Sequence, residues 1–437
     1  MVIPHTPPSE PPQMSKLFVF RRLKTASASL ISDAVMFLGG ALVAFLLLWS
    51  LWSFTNPSSP SSNPIASNTP TTPETRTRTD PTTFYDEPDL SYSVETQVQN
   101  WDEKRRQWLA RNPYFAGSTE RVLMVTGSQP LPCKNHNGDY FLLRLFKNKV
   151  DYCRIHGYDI FYNNVLLQPK MFGYWAKYAA IRAAMVAHPE AEWIWWVDSD
   201  AAITDMDFKL PLEKYKNHNL VVHGWPHLVY EKRSWTGLNA GVLLIRNCQW
   251  SMDLLARWIK FGPQGPDYEK WGEVLRSMFK DKLYPESDDQ TALAYLLVEE
   301  KDKWGDKIYM ESEYYLEGYW VEIVGTLGDV AEEYRAAERQ VRRLRRRHAE
   351  KGGEWNGGQW EEYMKGVEGW KRRPFITHFT GCEPCSGKHN ENYRAEDCWD
   401  GMIKALNFAD DQVLRNFGYF RPDLSNSSLV QPLKAFD

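Results

Sequence analysis

Between Arg121 and Asp200, apolar runs alternate with stretches whose apolar residues recur at helical spacing. Val122 to Thr126 is continuously apolar and breaks at Gly127-Ser128 with prolines behind, which predicts a buried strand ending in a turn. DYFLLRLFKNKVDYCRIHG then carries a helical stripe closed by Gly157. YDIFYNN predicts a second strand, KYAAIRAAMVAHPEAE a helix stopped at Pro189, and WIWWV, Trp193 to Val197, a third strand. A βαβαβ order of this kind implies an α/β domain with a mainly parallel sheet. Ligands in such sheets sit beyond the carboxyl ends of the strands, which makes Gly127 and Ser128 candidate contacts.

Upstream the pattern changes twice. Ala34 to Thr55 reads AVMFLGGALVAFLLLWSLWSFT, uncharged throughout, and as a helix would extend about 33 Å, enough to span a bilayer. Arg21, Arg22 and Lys24 precede it while NPSSPSSNP follows, so the positive-inside rule keeps the N-terminus cytosolic and puts the remainder in a lumen. Asn56 onward is rich in Ser, Thr and Pro and too poor in large apolar residues to fold, hence a tether. The expected organisation is a cytosolic tail over 1–33, a transmembrane signal anchor over 34–55, a stem over 56–100 and a luminal domain over 101–437. This is the architecture of a single-pass type II protein of the Golgi membrane.

Composition adds three points. The 437-residue chain has a formal net charge of -4, which gives no general attraction to nucleic acid. All six cysteines lie in the expected luminal part, where disulfides are permitted, and CEPC there favours disulfides or free thiols over half a zinc site. Asn426-Ser427-Ser428 is an N-glycosylation sequon in an accessible tail.

The chemistry begins where WIWWV stops, at Asp198-Ser199-Asp200. Two carboxylates on the turn that ends a strand can offer hard oxygen ligands to Mn²⁺ or Mg²⁺ bridging a diphosphate. SWTGLNAGVLLIRN places Asn239 and Ala240 between Gly237 and Gly241, small residues that let a ligand approach backbone. In ESDDQTALAYLL, Asp288, Asp289 and Gln290 open an apolar helix; Asp288 alone could satisfy the cap, and for the second acid and the amide helix-terminus chemistry and a functional role are both open. His378 ends a short apolar strand before Gly381 and offers the nitrogen donor that would complete the Asp198/Asp200 set. Trp225, Trp235 and Trp320 stand beside these motifs as candidate stacking faces for sugar rings.

Taken together, WWVDSDAAITDM, HNLVVHGW, GLNAGVLLIRNCQWS, DDQTALAYL, ITHFTGCEPC and LNFADDQVLR resemble plant glycosyltransferase family 34 over roughly residues 100–419. That family contains xyloglucan α-1,6-xylosyltransferases and galactomannan α-1,6-galactosyltransferases. The resemblance implies a GT-A fold, Mn²⁺ (or Mg²⁺), a UDP-sugar donor and retention of anomeric configuration. It puts metal ligands on Asp198, Asp200 and His378 and catalytic roles on Asp288, Asp289 and Gln290. Donor contacts are expected from Gly127, Ser128, Lys177, Ser199, Asn239, Ala240, Gly381 and Lys388. SWTGLNAG, PCSGKHN, RAEDCWDGM and VRRLRRRHAEK, in a charged stretch over 329–351, resemble the galactomannan branch more than the xylosyltransferases. One departure is Glu383, where the xylosyltransferases resembling this chain carry a lysine in GCxPC; Lys388 or Lys177 would then hold the pyrophosphate.

The resulting expectation is transfer of galactose from UDP-galactose, in α-1,6 linkage, to mannose units of a β-1,4-mannan or glucomannan. A complex with mannan synthase and a homodimer are both open, as are xylosyl transfer to xyloglucan and a non-catalytic role in a Golgi complex. Ala240, where those xylosyltransferases have threonine, would leave room for the hydroxymethyl group of galactose.

Overall fold

The computed structural model describes residues 90, 93–116, 121–341, 344, 357–367 and 372–433. The expected tail, anchor and most of the stem lie outside these residues, as does much of the basic stretch. Among the described residues no helix is long and apolar enough to cross a membrane. All of them belong to the compact unit Thr79–Asp437, which therefore begins before residue 101. Leu90, Val94 and Val98, placed in the stem from sequence, pack into the main core. The Val98 carbonyl accepts from Gln249 Nε2 at 2.9 Å, so these few apolar side chains anchor a segment whose composition otherwise reads as a tether.

In chain order the elements that position the site are helix α1 (Trp101–Arg111), β1 (Val122–Gly127), α2 (His136–His156), β2 (Asp159–Asn163), α3 (Ala176–Ala187), β3 (Trp193–Val197), β4 (Ala201–Ile203), β5 (Leu220–Gly224), β6 (Leu238–Arg246), α4 (Gln249–Trp258), α5 (Tyr268–Met278), α6 (Asp289–Glu299), β7 (Ile308–Glu311), β8 (Gly318–Tyr319), α7 (Leu327–Gln340), β9 (Ile376–His378) and α8 (Ala395–Arg415). The α2 boundary follows its caps: Asn135 Oδ1 accepts from Gly138 N, and Gly157 takes the left-handed conformation, φ 69°, beyond the last turn.

Six strands form the main sheet in the order β2-β1-β3-β6-β5-β7. β1 is parallel to β2 and β3, and β5 to β7, but β6 runs antiparallel to both β3 and β5. Five of the six strands therefore run the same way, in keeping with the mainly parallel expectation, and the reversed β6 makes the α/β sheet mixed. The reason lies in the connections: β5 turns back into β6 through a short segment holding the five-residue helix Pro226–Tyr230, with no long crossover helix to reverse its direction. Apolar cores fill both faces. α3, α4 and α6 cover one, with Trp175, Tyr178 and Trp258; Tyr152 and Cys153 of α2 pack on the other against Trp195 and Phe375.

A second sheet, β4-β9-β8, starts where the Asp198-Ser199-Asp200 turn leaves β3. β4 pairs antiparallel with β9, Ala201 opposite His378, so a residue far along the chain is brought to the turn by strand pairing. Disulfides join Cys133 to Cys385 and Cys382 to Cys398, while Cys153 and Cys248 are free thiols. The two cysteines of CEPC thus go to different partners, which removes them from any zinc site.

Candidate active site

The carboxyl ends of β1, β3, β5 and β7 and the amino end of β6 share one edge of the main sheet, because β6 is reversed. Asp198, Asp200 and His378 meet there, with one ligand atom from each all within 4.8 Å of one another. The carboxylates remain partly open to solvent, at 24% and 21%, while the imidazole is buried. His378 Nε2 lies 3.1 Å from Asp200 Oδ1, and Nδ1 lies 2.5 Å from Glu317 Oε1. A buried carboxylate on the far ring nitrogen fixes orientation and tautomer, the usual support of a metal-bound imidazole. Burial opposes charge on His378, yet Asp200 and Glu317 on either side raise its pKa well above the ordinary value. Burial also raises Glu317, whereas for Asp200 the imidazole outweighs burial and lowers it. Two carboxylates and one supported imidazole make a donor set that could hold a divalent metal ion.

Gly241 makes this convergence geometrically possible. A Cβ there would stand 2.4 Å from His378 Cε1 and 2.9 Å from Asp198 Oδ2. The turn is also held from below. Lys149, fully buried on α2, donates to the carbonyls of Ala201 at 2.7 Å and Ser199 at 3.3 Å. Burial lowers its pKa to about 8 although Asp200 and Asp198 pull the other way. Trp196 Nε1 donates to Asp198 Oδ1 at 2.5 Å.

The second acid pair is differently placed. Asp288 caps α6 by accepting from Thr291 N at 2.7 Å, and its other oxygen meets Lys282 Nζ at 2.8 Å. Asp289 is buried, accepts from Tyr178 Oη at 3.0 Å and from Gln290 N at 2.9 Å, and pairs with Lys177 Nζ at 3.1 Å. Burial, with Asp288 and Asp198 nearby, raises its pKa despite Lys177. Gln290 Nε2 donates to the Trp235 carbonyl at 2.9 Å.

Several sequence expectations change. Lys177 is buried between Asp198, 3.3 Å away, and Asp289, and donates to the Ala240 carbonyl at 2.9 Å; it ties two acid motifs together and has no open face for a pyrophosphate. Lys388, exposed in the loop after CEPC, keeps an open ammonium side chain. Ala240 is 2% exposed and its methyl lies in the core on the helix-covered face, not in an open cleft. Trp320 is 6% exposed, opens a short helix and stacks on Phe379 at 5.7 Å between ring centroids, so its ring is largely covered. Trp225, 37% exposed, and half-buried Trp235 do keep ring surface.

The remaining candidates have mixed roles. A Cβ on Gly127 would strike the Asn163 carbonyl at 2.2 Å, so this glycine serves strand approach, and Ser128 Oγ bonds Tyr162 Oη at 2.7 Å. Asn239 Oδ1 accepts from Gly241 N at 2.5 Å, Ser199 sits in the turn, and Gly381 at φ 82° receives Asn390 N on its carbonyl at 2.8 Å. Asn426 is exposed. Sequence reading missed Glu317 and Lys149. Lys149 leaves a signal, a lysine on the apolar stripe of α2 with Leu145 and Tyr152, whereas Glu317 leaves none locally.

A model of the galactosyl transferase GMA12/MNN10 family matches residues 118–389. Galactomannan galactosyltransferase 1 of Cyamopsis tetragonoloba is 58% identical over 426 residues, covering 94% of this chain and 97% of that protein. Glycosyltransferase 6 of Arabidopsis thaliana is 57% identical over 421 residues, 94% and 96% of the two chains. "Probable xyloglucan 6-xylosyltransferase 3" of Arabidopsis thaliana is 43% identical over 355 residues, 79% and 71% of the two.

Proposed function

The chain belongs to the galactosyl transferase GMA12/MNN10 family, and from that premise we propose that it is a retaining galactosyltransferase acting on a mannan. It is a hexosyltransferase with a nucleotide-sugar donor and a glycan acceptor. The specific reaction is transfer from UDP-galactose to O6 of mannose in a β-1,4-mannan or glucomannan, forming an α-1,6 branch. The observation that carries it is the 58% identity, over nearly the whole of both chains, to a galactomannan galactosyltransferase. The relative named for xylosyl transfer is more distant, at 43% over a shorter span.

Asp198, Asp200 and His378 would hold Mn²⁺ or Mg²⁺, and a bound cation supplies positive charge that steadies the diphosphate as the sugar bond breaks. Glu317 holds the imidazole, and Lys149 holds the turn through its carbonyls. Lys388 is the exposed ammonium for the pyrophosphate. Neither acid of α6 is free for nucleophilic attack: Asp288 is spent on the cap and Lys282, and Asp289 on Tyr178 and Lys177. This supports a same-face route in which a diphosphate oxygen takes the O6 proton, over double displacement through a carboxylate. A GT-A assignment for the fold and a type II anchor in the Golgi membrane, with association with mannan synthase or a second copy, complete the proposal.

The test is the full chain with UDP-galactose and UDP-xylose, each against mannohexaose and cellohexaose. Galactose on mannohexaose is expected to dominate. Faster xylose transfer to cellohexaose would replace this reading with xyloglucan xylosylation, and no transfer in any combination would point to the non-catalytic role.

A further inference from the structure

The loop after β9 carries Glu383, where the xylosyltransferases resembling this chain have lysine, and Lys388 five residues further on. It leaves β9 directly after His378, and Phe379 N donates to the Asp200 carbonyl at 3.2 Å, so it starts beside the cluster of Asp198, Asp200 and His378. Two disulfides then pin it: buried Cys382 is bonded to Cys398 of α8, and Cys385 to Cys133 in the segment after β1. Lys134 N donates to the Cys385 carbonyl at 3.1 Å, and Asn135 Nδ2 to the Pro384 carbonyl at 3.1 Å. Gly138 permits this approach, since a Cβ there would stand 2.5 Å from the Pro384 oxygen. Further along, Asn390 Nδ2 donates to Tyr284 Oη at 3.4 Å. The loop is therefore tied to the segment after β1 on one side and to the segment before α6 on the other.

Inside that frame, side chains build the turn. Glu383 has φ 25°, in the left-handed region that a residue with a Cβ seldom enters, and Gly387 continues the turn at φ 72°. Gly387 N donates to the Glu383 carbonyl at 3.1 Å. Ser386 Oγ donates to Glu383 Oε2 at 2.6 Å, and Lys388 N donates to Ser386 Oγ at 3.0 Å. The carboxylate is thus directed along its own loop and reaches the Lys388 backbone through one hydroxyl. An acid facing a diphosphate would repel it. Engaged by Ser386, this one instead orders the peptide that bears the exposed ammonium.

We propose that Glu383 is a positioning residue for the nucleotide-sugar donor, acting through Ser386 to fix the Lys388 backbone so that its ammonium meets the diphosphate. The proposal rests on the reading of the protein as a nucleotide-sugar transferase with Lys388 on the pyrophosphate. A side chain anchored at a fixed backbone position has less freedom to lose on binding, so affinity for the diphosphate depends on a residue that does not touch it.

The experiment measures UDP affinity by calorimetry at saturating Mn²⁺, beside the KM for UDP-galactose with mannohexaose. It uses the full chain and its Glu383→Ala, Glu383→Gln, Ser386→Ala and Lys388→Ala variants, with thermal midpoints as a fold control. Glu383→Ala and Ser386→Ala are each expected to weaken UDP binding and raise the donor KM about three- to tenfold, the scale of one net hydrogen bond. Acceptor KM and Mn²⁺ affinity should not move. Glu383→Gln keeps an oxygen that accepts from Ser386 and should retain normal affinity, and Glu383→Ala should add nothing to Lys388→Ala. Removing a negative charge beside a diphosphate by itself tightens binding, so the sign separates positioning from mere proximity. UDP bound as tightly or more tightly by Glu383→Ala would overturn the proposal, as would a loss that persists undiminished in the Lys388→Ala background. Absence of UDP binding by the unaltered protein would remove both this role and the functional reading. The expected UDP pattern without any galactose transfer would end the galactosyl reading and leave the role of Glu383 standing.

Discussion

Two pairs of acids stand within one site and have opposite fates. Asp198 and Asp200 leave a strand into a tight turn, keep about a fifth to a quarter of their side-chain surface open, and are supported from behind by Lys149 and Trp196 and across the sheet by His378. Asp288 and Asp289 begin a helix, and their oxygens are consumed by its cap, by Lys282, Lys177 and Tyr178. Exposure and partner supply, not residue type, decide which pair is available for a ligand. Lys177 couples the pairs, since it touches both Asp198 and Asp289.

The largest contrast should come from removing one acid of each pair. Asp200→Ala is expected to lower kcat by at least about a thousandfold, the scale of lost charge stabilisation at a reacting centre, with little change in thermal midpoint. Asp289→Ala should instead destabilise the fold by about 3–5 kcal/mol, because it leaves Lys177 buried with half its compensation. Denaturant unfolding beside initial rates separates the two, and a stable but inactive Asp289→Ala would erase the contrast. Next in size, Glu317→Gln should weaken Mn²⁺ binding by about 10- to 100-fold, as disturbed partners of metal ligands do, and calorimetric titration at fixed pH reads it directly.

A pH series sharpens the same comparison. With its folded pKa raised, His378 adds stability to the metal-free protein below the unfolded value, and that contribution is lost as pH rises through the folded value. A bound cation needs the neutral ring, so Mn²⁺ affinity should climb as pH increases, with proton release on binding; a flat affinity profile would remove His378 from the ligand set. The smallest effect on turnover belongs to Asp288→Ser. Serine preserves the helix cap but takes the carboxylate from buried Lys282, so stability should fall by about 3 kcal/mol while turnover falls by no more than about threefold. Abolished turnover in a folded protein would make Asp288 a reacting group.

How far these roles were legible depended on where their causes lie. β1, α2, β2, α3 and β3 were read within a residue or a few because each depends on its own apolar period and on Gly157 or Pro189 as a stop. The reversal of β6 was not, because strand direction is set by how the chain travels between strands and leaves no trace in the apolar run. Asp198, Asp200 and His378 could be grouped from sequence, but only the β4-β9 pairing brings the third to the first two. Asp289 read as a spare acid at a helix start because its partners, Tyr178 and Lys177, come from another helix. Trp320 and Ala240 were misplaced for a related reason: small or aromatic residues beside a motif look available until the packing above them is known.

The account turns on Asp198, Asp200 and His378 forming the divalent-cation site while Asp288 remains structural. Mn²⁺ titration followed by electron paramagnetic resonance, on the full chain and its Asp200→Ala and Asp288→Ser variants, addresses this most directly. One site of unchanged affinity in the unaltered protein and Asp288→Ser, absent in Asp200→Ala, is the predicted result; retained binding in Asp200→Ala, or loss in Asp288→Ser, would contradict it.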